Sequence, residues 1–506
     1  MSTGKRIISG SIASWLKIIA TFFIQIVLVP VYLSYWSVSV YGIWIAIQAL
    51  SSVLAILDIS HQNYLGFEFL KFGDKEADKI SRYLSSAVLI GLMSGFLQLI
   101  LLAILIYFYD ISFFLSNDIK NVSIISEAGN SLFVLSIVWL LTGNIGGMLC
   151  RALYPFGYYA RASWWGVLST IIISIAPLIS IINHKGLFIT CLAQAFGTLL
   201  YNFLLYVDFF RFFKKIGITF IKPSLRLGWQ NFVKSLVLSF NDLLNISRQQ
   251  GVRLILSPLA GVNALVAFTT MRTGANIALQ GLGTLTGPLM PELMRFLNEK
   301  NQEKCEVAFA TVWTVLIVFL VPGIILIQMI MPSLFVIWTR GKIEYNPLLF
   351  ALLSMTVLIY ALAQPAIAII KGNNNVKSQV RISFITALIV VGGMFLLVPK
   401  MGILGAAITL VIGELVDTQL YKIAAKKWLI NNGLEWPIKT SRIAALSVLF
   451  SSITLGCLIY IPNFKWVTLI VAFILYLVII FEYYKSFPQL VKEQINSIIS
   501  KFLKIN

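Results

Sequence analysis

Fourteen apolar stretches, each of about the 20 residues that a helix needs to cross a bilayer, follow one another almost without interruption. They occupy 11–33, 41–62, 84–108, 128–150, 163–183, 187–209, 231–253, 263–289, 307–330, 347–370, 382–398, 402–421, 443–461 and 465–482. No soluble core absorbs so much apolar chain. Only 12% of residues are charged, against about 25% in soluble proteins, and 58% are hydrophobic. The chain therefore reads as an all-α integral membrane protein. The first run follows only Lys5 and Arg6, contains Lys17 and leads straight into the second. It lacks the compact core and cleavage site of a signal peptide and reads as helix 1.

An even number of spans puts both termini on one side, and the basic residues say which. Outside the helices, 28 Lys and Arg flank the side of the termini and 6 the other; five more, Lys17, Lys234, Arg248, Arg253 and Arg272, fall inside helical runs. Retention of cations at cytoplasmic flanks makes the termini cytoplasmic. The net charge of +19 is then mainly topology and contact with anionic lipid, with no need of nucleic acid as a partner. The longest far-side loop, 109–127, has room for an interfacial segment and no domain.

Catalytic and metal chemistry find little to stand on. The four cysteines, Cys150, Cys191, Cys305 and Cys457, are scattered, and the only histidines are His61 and His184. Neither a metal site nor a disulfide framework follows, and no cofactor is expected. There is no nucleotide-binding loop and no nucleophile or metalloprotease motif. An enzyme is not indicated.

Spacing suggests an internal repeat. Lys17 and Lys234 lie 217 positions apart, while Gly186 and Gly402, and Arg161 and Lys377, each lie 216 apart. Six helices per unit give a parallel repeat about an axis along the membrane normal. The expected organisation is a first lobe at 1–215, a second at 216–425, and helices 13 and 14 with a cytoplasmic tail at 426–506.

The order of several segments carries a resemblance. "RIISGSIASWLKI", "VPVYL", "VYGIWIAIQALSSVLAILDIS", "DLLNISRQQGVRLILSPLAGVNALVAFTTMRTGANI" and "LTGPLMPELMRF" are similar to Wzx-type flippases of the multidrug/oligosaccharidyl-lipid/polysaccharide superfamily. The likeness runs nearly the whole chain, in a 6+6+2 arrangement. It implies movement of an undecaprenyl-pyrophosphate-linked oligosaccharide, such as an O-antigen or lipopolysaccharide precursor, from the cytoplasmic to the outer leaflet of a bacterial inner membrane. Membrane lipids and other polysaccharide-assembly proteins are the further partners it suggests. One departure is "LDIS" at the end of helix 2, where many relatives have Asp-Leu-Gly after the apolar run; a tight turn following Asp58 is correspondingly less secure.

Charges inside spanning helices are costly and point to function. On helix 7, Lys234, Asn241, Asn245 and Arg248 fall on one stripe at about 100° per residue, with Asp242, Gln249 and Arg253 on a second beside it. Arg272 on helix 8 adds a cation near mid-membrane, and Lys17 on helix 1 another about a turn or two from the cytoplasmic entry. Lys17, Arg248, Arg272, Lys234 and Arg253 are thus the candidates for lining a cavity that receives pyrophosphate and acidic sugars, Arg by a bidentate fork and Lys by a point charge. Asp58, Asp242, Glu414 and Asp417 are the acids that either bind a coupling ion or neutralise those cations in buried salt bridges. His61 reads as interfacial, and the pairs Trp36/Trp44 and Trp164/Trp165 as interface anchors. Small residues in "GNIGG" (143–147) and "GLGTLTG" (281–287) suit close helix packing. A multidrug or cation antiporter, expected to place acids in its first lobe, and a lipid II flippase are the rivals on the same scaffold. A membrane polymerase or ligase would need a larger outer loop.

Overall fold

The computed structural model describes residues 3–108, 122–246, 250–373, 375–487 and Lys492; the side chains of 3–8, 10, 11, 122, 277, 278 and 280–292 lie outside that description. Each apolar run is helical wherever it is described, and no strand occurs among the described residues. The chain is an all-α, multi-pass membrane protein. Eleven helical stretches are long and apolar enough to cross a bilayer, and a pair bent by 42° makes up to twelve. The seventh and eighth runs, which carry Lys234, Asp242, Arg253 and Arg272, are helical where they are described but outside that set.

Two compact units emerge, Met1–Val266 with Trp338–Ile343, and Ala267–Ile337 with Glu344–Asn506. The lobe boundary expected at 215 falls inside the first of them. That unit contains α1 (Thr3–Tyr35), α2 (Val38–Leu54), α3 (Ile56–Phe72), α4 (Ala77–Phe108), α5 (Val122–Trp139), α6 (Ile145–Ala152), α7 (Tyr159–Ile182), α8 (Leu187–Ile216), α9 (Leu225–Ile246) and α10 (Val252–Ala260). Leu65 and Phe69 of α3, Leu84 of α4, Met148 of α6 and Leu205 and Phe209 of α8 form its apolar centre. Helix α1 packs on α7, α7 on α8, and α9 on α3 and α4.

A row of serines sets the entry of α9. After α8 ends at Gly217, in the left-handed conformation (φ 77°), the linker runs extended along α4. The amides of Thr219, Ile221 and Ser224 donate to the hydroxyls of Ser81, Ser85 and Ser86 at 3.0, 3.1 and 3.0 Å. An extended segment has no internal partners for its N–H groups, so these hydroxyls replace them. Gly228 of α9 then lies against α4, where a Cβ would come within 2.6 Å of the Ser86 carbonyl oxygen.

The second unit holds most of α11 (Val262–Asn298), then α12 (Gln302–Thr314), α13 (Val321–Thr339), α14 (Pro347–Gly372), α15 (Val376–Met401), α16 (Ile403–Asn431), α17 (Ile438–Tyr460) and α18 (Lys465–Lys485). Helix α16 packs against both α14 and α15. Asn301, Asn346 and Asn375 cap α12, α14 and α15, each side chain accepting from a first-turn amide. The hydroxyls of Tyr476 and Tyr483 on α18 donate to the carbonyls of Ile317 and Ala310.

The repeat landmarks occupy matching places. Gly186 is the residue before α8 and Gly402 the residue before α16, while Arg161 and Lys377 sit in the first turns of α7 and α15. Three expectations are corrected. His61 is not at a helix exit: α3 continues to Phe72 and the imidazole is buried against Phe232 and Ser235 of α9. Trp36 and Trp44 are buried in a cluster with Tyr32 and Tyr41, since α1 and α2 close on each other there. Trp164 is exposed, but Trp165 is partly buried and donates to Asp208 at 2.7 Å.

Candidate functional site

The path of the second span is decided at Ala55. There the helix breaks and bends by 42°, so α3 starts afresh with Asp58 in its first turn. A carboxylate is favoured near a helix N-terminus by the unpaired amides and the dipole. The turn therefore precedes Asp58, and the helix runs unbroken through Ile59 and Ser60.

A second irregularity meets the first. The stretch Leu140–Asn144 is a π-helical segment between α5 and α6. Such insertions rotate the helical turns beyond them and are frequent at functional sites. The residue before this segment and the residue that ends it both reach Asp58: Trp139 Nε1 donates at 2.9 Å and Asn144 Nδ2 at 3.2 Å. Asn144 Nδ2 also donates to the Gly91 carbonyl of α4, at 2.9 Å. Gln62, one turn beyond Asp58, donates to the carbonyls of Gly143 and Asn144 and accepts from Arg151 Nη1 at 3.0 Å. Gly147 allows this approach, because a Cβ there would fall on the Gln62 amide. "GNIGG" thus serves close packing, as expected, and its Asn144 also delivers one donor to a buried acid.

Asp58 lines a cavity of about 570 Å3 inside the first unit. Around it stand Gln48, Gln62, Gln98, Gln194 and Asn202. Among the described residues of the cavity wall Asp58 is the one charged group, and it is 2% exposed. None of the expected cations Lys17, Lys234 and Arg253 lines it.

Those cations lie elsewhere in the unit. Lys17 is exposed on α1, beside Gly166 of α7. Lys234 is exposed on α9. Arg253, half-buried on α10, donates to Gln250 Oε1 at 3.0 Å. Asp242, on the same helix as Lys234, accepts from Ser60 Oγ of α3 at 2.7 Å. Both acids of this unit's candidate set are thus held by neutral donors, and no ion pair joins them to a cation among the described residues. Arg248 and Gln249 lie outside the described residues.

In the second unit Arg272 is half-buried, its guanidinium 5.9 Å from the Phe268 ring centre. Glu414 and Asp417 sit one turn apart on α16, where Asp417 is buried and accepts from Thr386 Oγ1 of α15 at 3.0 Å. Among the described residues, no cluster of His, Cys, Asp and Glu could hold a metal ion.

Apart from Asn241, Asn245 and Gln249 on the seventh run, the sequence drew attention to charges and not to amides. Gln48, Gln62, Gln98, Asn144, Gln194 and Asn202 all interrupt apolar runs, and an uncharged amide at membrane depth is a weaker version of the same signal.

No family model matches the chain, and no curated protein matches it. Solved structures do. A multidrug resistance MATE family transporter of the MOP superfamily, inward-facing, is 13% identical and aligns over 86% of this chain and 99% of its own, with a TM-score of 0.61. A MOP superfamily transporter from Pyrococcus furiosus Vc1, described as having a binding pocket of reverse polarity, is 14% identical over 86% of this chain and 97% of its own, TM-score 0.57. The lipid II flippase MurJ, in an inward closed conformation, is 15% identical over 94% of this chain and 99% of its own, TM-score 0.60. The chain has the fold shared by the MATE transporters and MurJ.

Proposed function

We propose that this chain is a flippase that carries undecaprenyl-pyrophosphate-linked oligosaccharide from the cytoplasmic to the outer leaflet of a bacterial inner membrane, with both termini in the cytoplasm. The observation that carries the reading is the way charges are matched in the first unit. Asp58 and Asp242 are satisfied by Trp139, Asn144 and Ser60, so they leave Lys17, Lys234 and Arg253 unconsumed. Cations kept at membrane depth and not spent on neighbouring acids suit an anionic cargo. Support also comes from the likeness to MurJ, which takes in 94% of the chain against 86% for the MATE transporter.

Transport would proceed by alternating access, with Lys17, Arg248, Arg253, Lys234 and Arg272 as the cations available to the cargo's diphosphate while the prenyl chain stays in lipid. Asp242, Glu414 and Asp417 are the acids available to a coupling ion. Deletion of the gene in its host, followed by chemical analysis of surface polysaccharide and of lipid-linked intermediates, tests the reading. Loss of surface polymer with accumulation of the intermediate supports it; normal polymer contradicts it.

One observation favours a cation antiporter instead: among its described lining residues, the first-unit cavity holds a carboxylate and no cation. Efflux of a lipophilic cation such as ethidium from cells expressing the chain, abolished in Asp58→Asn, would support that second reading.

A further inference from the structure

The cavity around Asp58 abuts a second one. This neighbour, about 370 Å3, is walled by Val53, Leu57, Leu236, Phe240 and Leu243, between the α2–α3 bend and α9. Leu54 and Gln98 belong to the walls of both. The two spaces differ in chemistry. The larger offers a carboxylate, several amides and the Trp139 ring; the smaller is almost wholly apolar. Leu57, Leu236, Phe240 and Leu243 are 37 to 46% exposed, so the apolar space opens outward from the fold. Both volumes fall within the range of about 300–1,000 Å3 typical of small-molecule sites.

We propose that this pair of cavities is a subsite for an amphiphile, in which the sugar nearest the lipid occupies the amide-lined cavity and the first isoprene units occupy the apolar crevice, with Gln98 at the threshold. The assignment rests on the flippase reading and names a place for the two ends of its cargo. Carbohydrate hydroxyls need donors and acceptors in turn, which side-chain amides supply, and an aromatic ring offers a face to sugar C–H groups. Each oxygen of Asp58 accepts one hydrogen bond from the protein, which leaves capacity for a hydroxyl donor. Gln98 Nε2 is buried with no hydrogen-bond partner among the described residues, which leaves a donor at the wall shared by the two spaces. An anionic wall repels a diphosphate, so Asp58 selects the sugar and leaves the diphosphate to the cations outside this cavity.

Binding to the purified full-length protein in nanodiscs separates the possibilities. The probes are undecaprenyl pyrophosphate carrying the glycan that accumulates in a strain lacking this chain, and bare undecaprenyl pyrophosphate. Asp58→Asn and Gln98→Ala should each lower the preference for the glycosylated lipid about tenfold while affinity for the bare lipid stays within about twofold. Leu243→Trp, filling the crevice, should weaken both lipids alike. If wild-type protein favours the glycosylated lipid and the two polar variants keep that preference, or if wild type binds both lipids equally, the sugar assignment is overturned while the flippase reading stands. Unchanged binding in Leu243→Trp, or displacement of both probes by ordinary phosphatidylglycerol with equal potency, overturns the crevice. Wild-type protein that binds neither probe overturns the flippase reading itself. A sodium or proton dependence that disappears in Asp58→Asn, with the sugar preference intact, would make the acid an ion site and overturn its role here.

Discussion

Gly147 and Gly228 are positions where a single methyl group would collide with atoms already in place. At Gly147 the added Cβ would displace the Gln62 amide from the Gly143 and Asn144 carbonyls and from Arg151; at Gly228 it would press on the Ser86 carbonyl, which is backbone. Overpacking of this kind costs about 1–3 kcal/mol, so Gly147→Ala and Gly228→Ala should each lower the thermal unfolding midpoint of purified protein, and an unchanged midpoint would mean that the helices separate more easily than the packing indicates. For Arg272 the expectation concerns charge: Arg272→Lys should retain partial polysaccharide export and Arg272→Ala lose most of it at equal membrane abundance. Asp58 was legible in the sequence as a charge inside a run. Its partners Trp139 and Asn144 were not, because they lie 81 and 86 positions away and neutral side chains give no sign of pairing.

Apolar runs located the described helices other than α10, most of which falls between the seventh and eighth runs, since in lipid each backbone group must be satisfied within its own segment. They did not reveal the breaks. A run that is apolar on all sides carries no phase, so neither the bend at Ala55 nor the π segments at Leu140–Asn144 and Val315–Leu320 leave a trace in periodicity. Boundaries also drifted where polar residues continue a helix beyond the hydrocarbon: the run 41–62 is part of a helical pair reaching Phe72, which is why His61 is buried. The π segment has a direct test. Removal of Leu141, which is exposed, should close the bulge into α-helix with α6 facing as before, so that the residues at the bulge, Trp139 to Asn144, shift against Asp58 and Gln62. Export should fall close to that of the deletion strain while protein still reaches the membrane; wild-type export would show that the insertion does not position the site.

At the scale of the molecule, Gly186 and Gly402, 216 positions apart, each stand immediately before a helix, and the first compact unit keeps α9 and α10, beyond position 215. The reason lies in contacts between distant segments, Ser60 with Asp242, His61 with Ser235 and the serine row of α4 with the linker, which no local pattern encodes. Topology rests on charge alone: cysteines placed at Lys75, Lys215 and Lys426 should resist an impermeant reagent added to intact spheroplasts, and one at Lys342 should react; Asn121, also expected outside, lies beyond the described residues. Labelling of Lys215 from outside would break the count of spans. The most direct measurement of the central claim is translocation in proteoliposomes, reading how quickly a lipid-linked glycan enclosed in the inner leaflet becomes accessible to an external lectin. Wild-type protein should expose the glycan well above protein-free vesicles, and a Lys17→Ala, Arg272→Ala variant of equal reconstitution should approach them; exposure at the protein-free rate with well-folded wild-type protein would contradict the account.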